Sequence, residues 1–268
     1  MERAGVGHHG PVRDGRPIRI AAAGDLHATE AVRERLTSAF SELDHSVDLV
    51  LFAGDLTTCG DPEEAVVLAD ACRDLTTPVC AVLGNHDWHL NRTHELVAVL
   101  TDAGVRVLER SSVRFDVRGQ EVGVVGLKGF VGGFPDHVLP DFGEPLLRQV
   151  FAETTEDVAA LDRELASVDD CDLRIVLLHY APTTTTLEGE PRAIWAFLGS
   201  DRLAGPIAEH APDLVLHGHA HAGTFEGFIG RVPVYNVATY VTGKEFWVFE
   251  LAVEQRPRVE RPEEARAE

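Results

Sequence analysis

The sequence predicts an α/β fold built on a parallel, helix-covered sheet, and two observations carry that prediction. Continuous apolar runs at Ile18–Ala23, Asp48–Ala53 and Pro78–Leu83 alternate with stretches of helical period. Strands that are apolar on both faces belong to sheets covered by helices. Each run also stops at a glycine followed by residues able to carry chemistry, as a buried strand does when it ends at the rim of a site.

The elements follow in order. Residues 1–17 contain Gly, Arg and His without periodicity and read as a flexible N-terminal tail. The strand Ile18–Ala23 ends in Gly24-Asp25-Leu26-His27, and a helix is expected from about Thr29, with Val32, Leu36, Ala39 and Leu43 on one face. The strand Asp48–Ala53 ends in Gly54-Asp55. Asp61-Pro62-Glu63-Glu64 opens the next helix with a cap, a proline at the first helical position and a reciprocal acid. The strand Pro78–Leu83 runs into Gly84-Asn85-His86-Asp87, and a helix from about Thr93 stops at Gly104.

The pattern then changes. Val113–Val117 and Val122–Leu127, joined by Arg118-Gly119-Gln120-Glu121, are expected to form a hairpin. Residues 128–145, rich in Gly, Phe and Pro, form a long loop of the functional or mobile kind. A long helix is expected over Leu146–Val168, with Leu147, Val150, Phe151, Val158, Leu161 and Leu165 on its apolar face. The strand Leu173–Leu178 ends in His179-Tyr180. A Thr-rich loop and a short helix near Leu203–His210 lead to Asp213–Leu216, which ends in His217-Gly218-His219-Ala220-His221. Strands at Thr224–Ile229, Val232–Val237 and Glu245–Leu251 complete one domain over residues 18–254, and residues 255–268 read as a charged, disordered tail.

Composition limits the functions open to this chain. Its 268 residues are 44% hydrophobic and 25% charged, enough for a sizeable core without disulfides. Cys59, Cys72, Cys80 and Cys171 form no C-x-x-C pair, so they read as thiols of a reducing compartment. No apolar run approaches the about 18 residues of a membrane span, and the N-terminus lacks an apolar signal core. A cytoplasmic protein is expected, with no membrane partner. The net charge of −20 argues against a wide grip on nucleic acid. It leaves open a phosphate held by cations, which reverse the local field.

Five strand ends carry, in order, Asp25 and His27, then Asp55, then Asn85, His86 and Asp87, then His179, then His219 and His221. In an open α/β sheet the carboxyl ends of the strands gather on one edge. Carboxylates, imidazoles and a carboxamide without thiolates suit divalent Mn, Fe, Zn, Ni or Co. The i, i+2 spacing of Asp25/His27 and of His219/His221 puts each pair on one face of an extended segment. The set is too large for one ion, and a single carboxylate such as Asp55 can bridge two, which in two-metal sites lie about 3.5–4 Å apart. Each piece alone has an ordinary reading: Gly-Asp as a turn, a lone His179 as a hydrogen-bonded core residue. The ordered set does not.

This series, D-x-H, GD, GNH-D, H and GH-x-H over positions 25–221, resembles the calcineurin-like metallophosphoesterase superfamily. Lys128-Gly129-Phe130-Val131-Gly132-Gly133-Phe134 and His179-Tyr180-Ala181-Pro182-Thr183 resemble its prokaryotic Icc-type subgroup. The resemblance implies a four-layer αββα sandwich with two central mixed β-sheets. It also implies two divalent metal ions, with Mn favoured. One would be held by Asp25, His27, Asp55 and His221, the other by Asp55, Asn85, His179 and His219. His86 would face the scissile phosphate, with Asp87 orienting it. A metal-bridging hydroxide would then hydrolyse a small soluble phosphate ester, a phosphodiester being favoured.

Outside the motif, Lys128 and Arg192 are candidate phosphate-binding cations on loops, against the weightier ordinary reading of solvated surface charge. Phe130, Phe134 and Phe142 are either a base-stacking lid or cover for the sheet edge. Trp88, His89 and His94 either line the pocket or pack at the surface, and His217 is expected to support the site without ligating. Two alternatives carry less weight. A nuclease is disfavoured by the acidic balance, and a metal-bound scaffold without turnover by retention of the whole ligand set.

Overall fold

The computed structural model describes residues 16–43 and 45–253. Both predicted tails lie almost entirely outside the described residues. In chain order the elements are β1 (Ile18–Ala23), α1 (Arg33–Leu43), β2 (Leu49–Ala53), α2 (Pro62–Cys72), β3 (Val79–Val82), α3 (Thr93–Asp102) and β4 (Val105–Val107). Then come β5 (Ser111–Val117), β6 (Gln120–Gly126), β7 (Gly133–Phe134), β8 (His137–Val138), α4 (Pro145–Ser167) and β9 (Leu173–Leu177). The chain continues through α5 (Ala204–His210), β10 (Leu214–His217), β11 (Glu226–Ile229), β12 (Val232–Asn236), α6 (Thr239–Thr242) and β13 (Trp247–Leu251).

The strands form two large mixed sheets, ordered β13-β1-β2-β3-β4 and β11-β12-β10-β9-β6-β5, plus the small β7–β8 hairpin. β1 to β4 are mutually parallel, as are β6, β9, β10 and β12. β13, β5 and β11 are antiparallel additions. The parallel sheet expected from the apolar runs is therefore two sheets packed face to face. Period-2 alternation divides each strand between two cores. Ile18, Ile20, Ala22, Leu49, Leu51, Val122, Ile175 and Leu216 fill the space between the sheets. Ala21, Val50 and Phe52 face α1, α2 and α3, whose Leu36, Phe40, Leu68 and Leu96 meet them. Val125, Val176 and Val215 face α4 and α5 through Leu161, Leu165 and Ile207. The result is a four-layer αββα sandwich in which strand interiors touch apolar side chains on both faces.

Local chemistry sets the boundaries. Asp61 caps α2 by accepting from the Glu63 amide at 3.1 Å, with Pro62 at the first helical position. Glu64, the expected reciprocal acid, reaches past the cap to the Thr58 and Cys59 amides at 2.8 and 3.1 Å, fastening the loop after β2. The hairpin turn is tighter than expected, with Arg118 and Gly119 at φ 53° and 76° and Val117 paired to Gln120, the geometry of a two-residue turn. The predicted apolar face of α4 is shorter than its sequence period. Leu161 and Leu165 are buried, whereas Leu146 and Leu147 are 70% and 45% exposed.

Candidate metal centre

The carboxyl ends of β1, β2 and β3 in one sheet, and of β9 and β10 in the other, meet at one edge of the sandwich. His179 Nδ1–H crosses between the sheets to donate to the Ala53 carbonyl at 2.9 Å, and the Gly24 amide donates to Val237 O at 2.8 Å. Four residues at this edge hold left-handed backbone without being glycine: Asp25 (φ 58°), His27 (φ 44°), Asp55 (φ 49°) and His219 (φ 68°). Such conformations cost about 1–3 kcal/mol each and persist only where neighbours over-determine them. Here the Asp25 and His27 amides donate to Gly54 O and Asp55 O, each at 3.0 Å, locking the turn after β1 onto the turn after β2. The turns aim the side chains inward.

Two groups of potential ligand atoms result, each with members within 4.8 Å of one another: Asp25, His27, Asp55 and His221, and Asp55, His179 and His219. Asp55 belongs to both. Asn85 joins the second group, its Oδ1 lying 2.9 Å from His179 Nε2. Every residue of the expected ligand set is thus gathered at one place.

The chemistry of the cluster fits a cation. With Nδ1–H committed to Ala53, His179 turns its Nε2 lone pair toward Asn85 Oδ1 at 2.9 Å and Asp55 Oδ1 at 3.3 Å. An imidazole lone pair facing two oxygens is an arrangement that a cation reconciles, and without one the proton that burial keeps on Asp55 supplies the donor. Similar carbonyl contacts set the other rings. His27 Nδ1–H donates to Thr57 O at 3.3 Å, and His219 Nε2–H to Phe197 O at 3.2 Å, leaving the opposite nitrogen of each ring with its lone pair, the form able to hold a cation. Burial pushes Asp55 up to about 9, and the charges of Asp25 and Asp87 push the same way. Burial likewise drives His219 down to about 4 and His179 well below the ordinary imidazole range. These are neutral imidazoles, the form that ligates. His221 Nε2 lies 2.8 Å from Asp25 Oδ1, an attachment that raises the imidazole and helps hold Asp25 down against its burial.

Two glycines make room for this crowding. A Cβ on Gly84 would lie 2.1 Å from Asp55 Oδ1, and one on Gly218 2.4 Å from Asp25 Oδ2. The glycines of the GN and GH motifs leave the space that the Asp55 and Asp25 carboxylates occupy.

His86 stands apart from the two ligand groups. Its amide donates to Asp55 Oδ1 at 2.9 Å, its Nδ1 contacts Thr58 O at 2.7 Å, and its Nε2 lies 3.9 Å from Asp55 Oδ2 with the ring one-third exposed. The expected orientation of this ring by Asp87 is not what the structure holds. Asp87 is fully buried and accepts from the Gly84, Leu56 and Thr57 amides and the Thr57 hydroxyl at 2.7–3.1 Å. It fastens the loop after β3 to the loop after β2, and the Thr58 carbonyl holds the imidazole.

The remaining candidates divide. Half-buried Lys128 lies beside the cluster, its Nζ over the rings of Phe130 (4.6 Å) and Tyr180 (5.1 Å). Arg192 is not gathered in: it is exposed, with its guanidinium 5.0 Å from the Trp195 ring centroid, and its described contacts do not reach the ligand groups. Of the three phenylalanines only Phe130 faces the site. Phe134 is buried against Trp195, and Phe142 is 66% exposed. Trp88 lines a groove at Asn85, His89 packs 4.5 Å from the His86 ring, and His94 is exposed. His217 is fully buried between Gly218 O and the Thr186 hydroxyl, each at 2.8 Å, as expected of a support. The Cys59 thiol lies 3.7 Å from Glu64 Oε2 and is raised by burial and that carboxylate, away from reactivity. Tyr240, on α6, escaped sequence reasoning: its ring stacks on His221 at 4.3 Å. An isolated tyrosine after the last motif carries no signal of such a contact.

Comparison with known proteins agrees with this architecture. The family model of the calcineurin-like phosphoesterases matches residues 18–223. No curated protein matches the chain significantly. Among solved structures, phosphopantetheinyl hydrolase from Mycobacterium tuberculosis is 18% identical with a TM-score of 0.63, over 84% of this chain and 90% of that one. TT1561 from Thermus thermophilus is 18% identical with a TM-score of 0.56, over 87% and 99%. GAP50, the anchor in the inner membrane complex of Plasmodium, is 14% identical with a TM-score of 0.54, over 84% and 72%. At such identities the neighbours share the fold alone.

Proposed function

The chain belongs to the calcineurin-like phosphoesterase family of metal-dependent phosphoric ester hydrolases, and from that premise we propose that it hydrolyses a small soluble phosphate ester, a phosphodiester in preference, at a centre of two divalent cations. Asp25, His27, Asp55 and His221 would hold one cation, and Asp55, Asn85, His179 and His219 the other. When bound, such a pair supplies a water activated as nucleophile and Lewis-acid polarisation of the phosphoryl oxygens.

The observation that carries this reading is Asp55. Its carboxylate is 1% exposed, shared by both ligand groups, and raised to about 9 by burial and by neighbouring acids. A carboxylate so placed is stable as an anion only with cations beside it. His86 keeps Nε2 open to a bound ester while Thr58 O fixes the ring, so in its protonated form it can give a proton to the leaving oxygen. The diester preference rests on access from two sides. A groove of about 540 Å³ reaches Asn85, and a pocket of about 410 Å³ reaches Asp25 and His27, giving each substituent of a diester a place.

The test is hydrolysis of bis-p-nitrophenyl phosphate beside p-nitrophenyl phosphate by metal-stripped protein reloaded with Mn²⁺, with Asp55→Asn as control. Metal-dependent turnover, faster on the diester and lost in the variant, is expected. Equal turnover by Asp55→Asn would overturn the assignment.

A further inference from the structure

Three of the four imidazoles in the ligand groups are turned into place by a main-chain carbonyl. His27 bonds Thr57 O, His179 bonds Ala53 O and His219 bonds Phe197 O. Among the described residues His221 has no such carbonyl. Its hydrogen bond runs from Nε2 to Asp25 Oδ1 at 2.8 Å. That bond joins two members of one ligand group, so a cation held by the group competes with it. The main chain around His221 is pinned, because Asn236 Nδ2 donates to Ala220 O and the Ala222 amide to Glu190 Oε1, each at 2.7 Å. The imidazole itself, 39% exposed, still has to be kept from turning. Tyr240 stands where the carbonyl is missing. Its ring lies 4.3 Å from that of His221 with 13° between the planes, and meets His27 edge-on at 6.2 Å. At 62% exposure this tyrosine fills no core, and the faces it covers are those of ligand imidazoles. Its own place is fixed through Thr239, which gives its amide to Gly24 O and its hydroxyl to Asp25 O, both at 3.0 Å. α6 then closes at Gly243 (φ 62°), whose amide returns to Thr239 O at 2.9 Å. The turn that carries Tyr240 is tied to the segment that presents Asp25.

We propose that Tyr240 is the positioning residue of His221, doing by stacking what carbonyls do for the other three imidazoles, and that it sets the affinity of the cation site formed by Asp25, His27, Asp55 and His221. The inference rests on the two-cation reading for the cation and adds how one ligand is held. Outer-shell partners orient metal-binding imidazoles and are costly to remove. An aromatic pair in stacked geometry is worth up to about a tenfold change in an equilibrium. An imidazole that gives its lone pair to a cation becomes electron-poor, so the phenol face attracts it more strongly. Stack and cation therefore favour each other, by the same factor in both directions. The group of Asp55, Asn85, His179 and His219 has its rings held by carbonyls and does not depend on Tyr240.

Two readings on the full-length protein test this. In the first, metal-stripped wild type, Tyr240→Leu and Tyr240→Phe are titrated calorimetrically with Mn²⁺. Tyr240→Leu is expected to weaken one of the two sites about tenfold and to leave the other at wild-type affinity. Tyr240→Phe, which keeps the ring and loses only the hydroxyl, is expected to bind as wild type does. Thermal denaturation should place Tyr240→Leu among ordinary surface substitutions, which separates lost positioning from lost folding. The second reading needs no cation. Imidazole proton resonances of the metal-free protein, with His221 assigned through His221→Gln, should show the His221 ring protons shifted upfield by the tyrosine face. The shift should vanish in Tyr240→Leu and persist in Tyr240→Phe. Wild-type affinity at both sites of Tyr240→Leu, or a loss shared equally by the two, would overturn the assignment. So would an equal weakening by Tyr240→Phe, or a His221 resonance that Tyr240→Leu leaves in place. A wild-type protein that takes up fewer than two Mn²⁺ while its His221 resonance responds as expected would sink the two-cation reading and leave the positioning of the ring by Tyr240 standing.

Discussion

Thr57 gives both its amide N–H, at 2.9 Å, and its hydroxyl, at 2.7 Å, to the same Asp87 oxygen. The other Asp87 oxygen takes the Gly84 and Leu56 amides at 2.8 and 3.1 Å. One buried carboxylate therefore binds together the loops that present Asp55 and His86. Asp87→Asn keeps one acceptor and turns an NH₂ toward N–H donors. It is expected to destabilise the metal-free protein by roughly 2–4 kcal/mol, since an unsatisfied buried donor costs about 1–3 kcal/mol and a lost bond to a carboxylate about 1.5–3. Urea denaturation reads the loss. A stability change below about 0.5 kcal/mol, the range of an ordinary surface substitution, would mean the staple is dispensable.

His86 is expected to act on the ester and not on the metals. His86→Ala should keep the full metal complement while kcat falls about 10²–10⁴-fold, the usual contribution of a positioned proton donor. The deficit should be larger for alkyl esters, whose leaving oxygen needs a proton, than for p-nitrophenyl esters. Metal analysis and kcat are measured on the same samples. Wild-type rates on a poor leaving group would remove the role.

The Asp55 environment sets a pH dependence. Its folded value of about 9 lies above the ordinary carboxyl value of 3.8, so at pH 7 the folded metal-free protein holds a proton that the unfolded chain has released. That contribution to stability is complete below about pH 4 and is lost as pH rises through about 9. A cation must displace the proton, so affinity should rise toward pH 9, about tenfold per unit for each proton released. Calorimetric titration of Mn²⁺ in buffers of different ionisation enthalpy should show release of about one proton from Asp55 at pH 7. Binding with no proton release would contradict the assignment.

Gly84→Ala probes the packing behind the ligands. The new Cβ would lie 2.1 Å from Asp55 Oδ1 and 2.2 Å from its amide nitrogen, so Asp55 must move. Metal affinity should fall about 10–100-fold, as when outer-shell support is lost, and stability by about 1–3 kcal/mol from overpacking. Unchanged affinity would mean that the loop relaxes around the methyl group.

The site is more legible in the sequence than the fold. Asp25, Asp55, Asn85, His179 and His219 each follow an apolar run at a strand end, a signal contained within a few residues, and all are gathered in the structure. The division into two sheets is invisible locally. β1 and β9 have the same apolar pattern, and only pairing between distant segments assigns them to different sheets. Asp87 misleads for a related reason. A carboxylate beside a histidine suggests a partner for the ring, whereas its donors include Leu56 and Thr57, some 30 residues away. Arg192 sits on a loop whose sequence points toward the site, yet its guanidinium finds the Trp195 face. Tyr240 contacts His221 only because the chain after β12 returns to the edge where β1 ends, through the Thr239 amide's bond to Gly24 O at 3.0 Å.

The central claim is that Asp55 is shared by two cations, and its most direct test is a Mn²⁺ titration of the metal-free protein followed by electron paramagnetic resonance and turnover together. An exchange-coupled signal growing in with the second equivalent, activity rising in step, and both absent from Asp55→Asn is the predicted result. Full activity at one equivalent, with only the signal of isolated Mn²⁺ at every ratio, would contradict it.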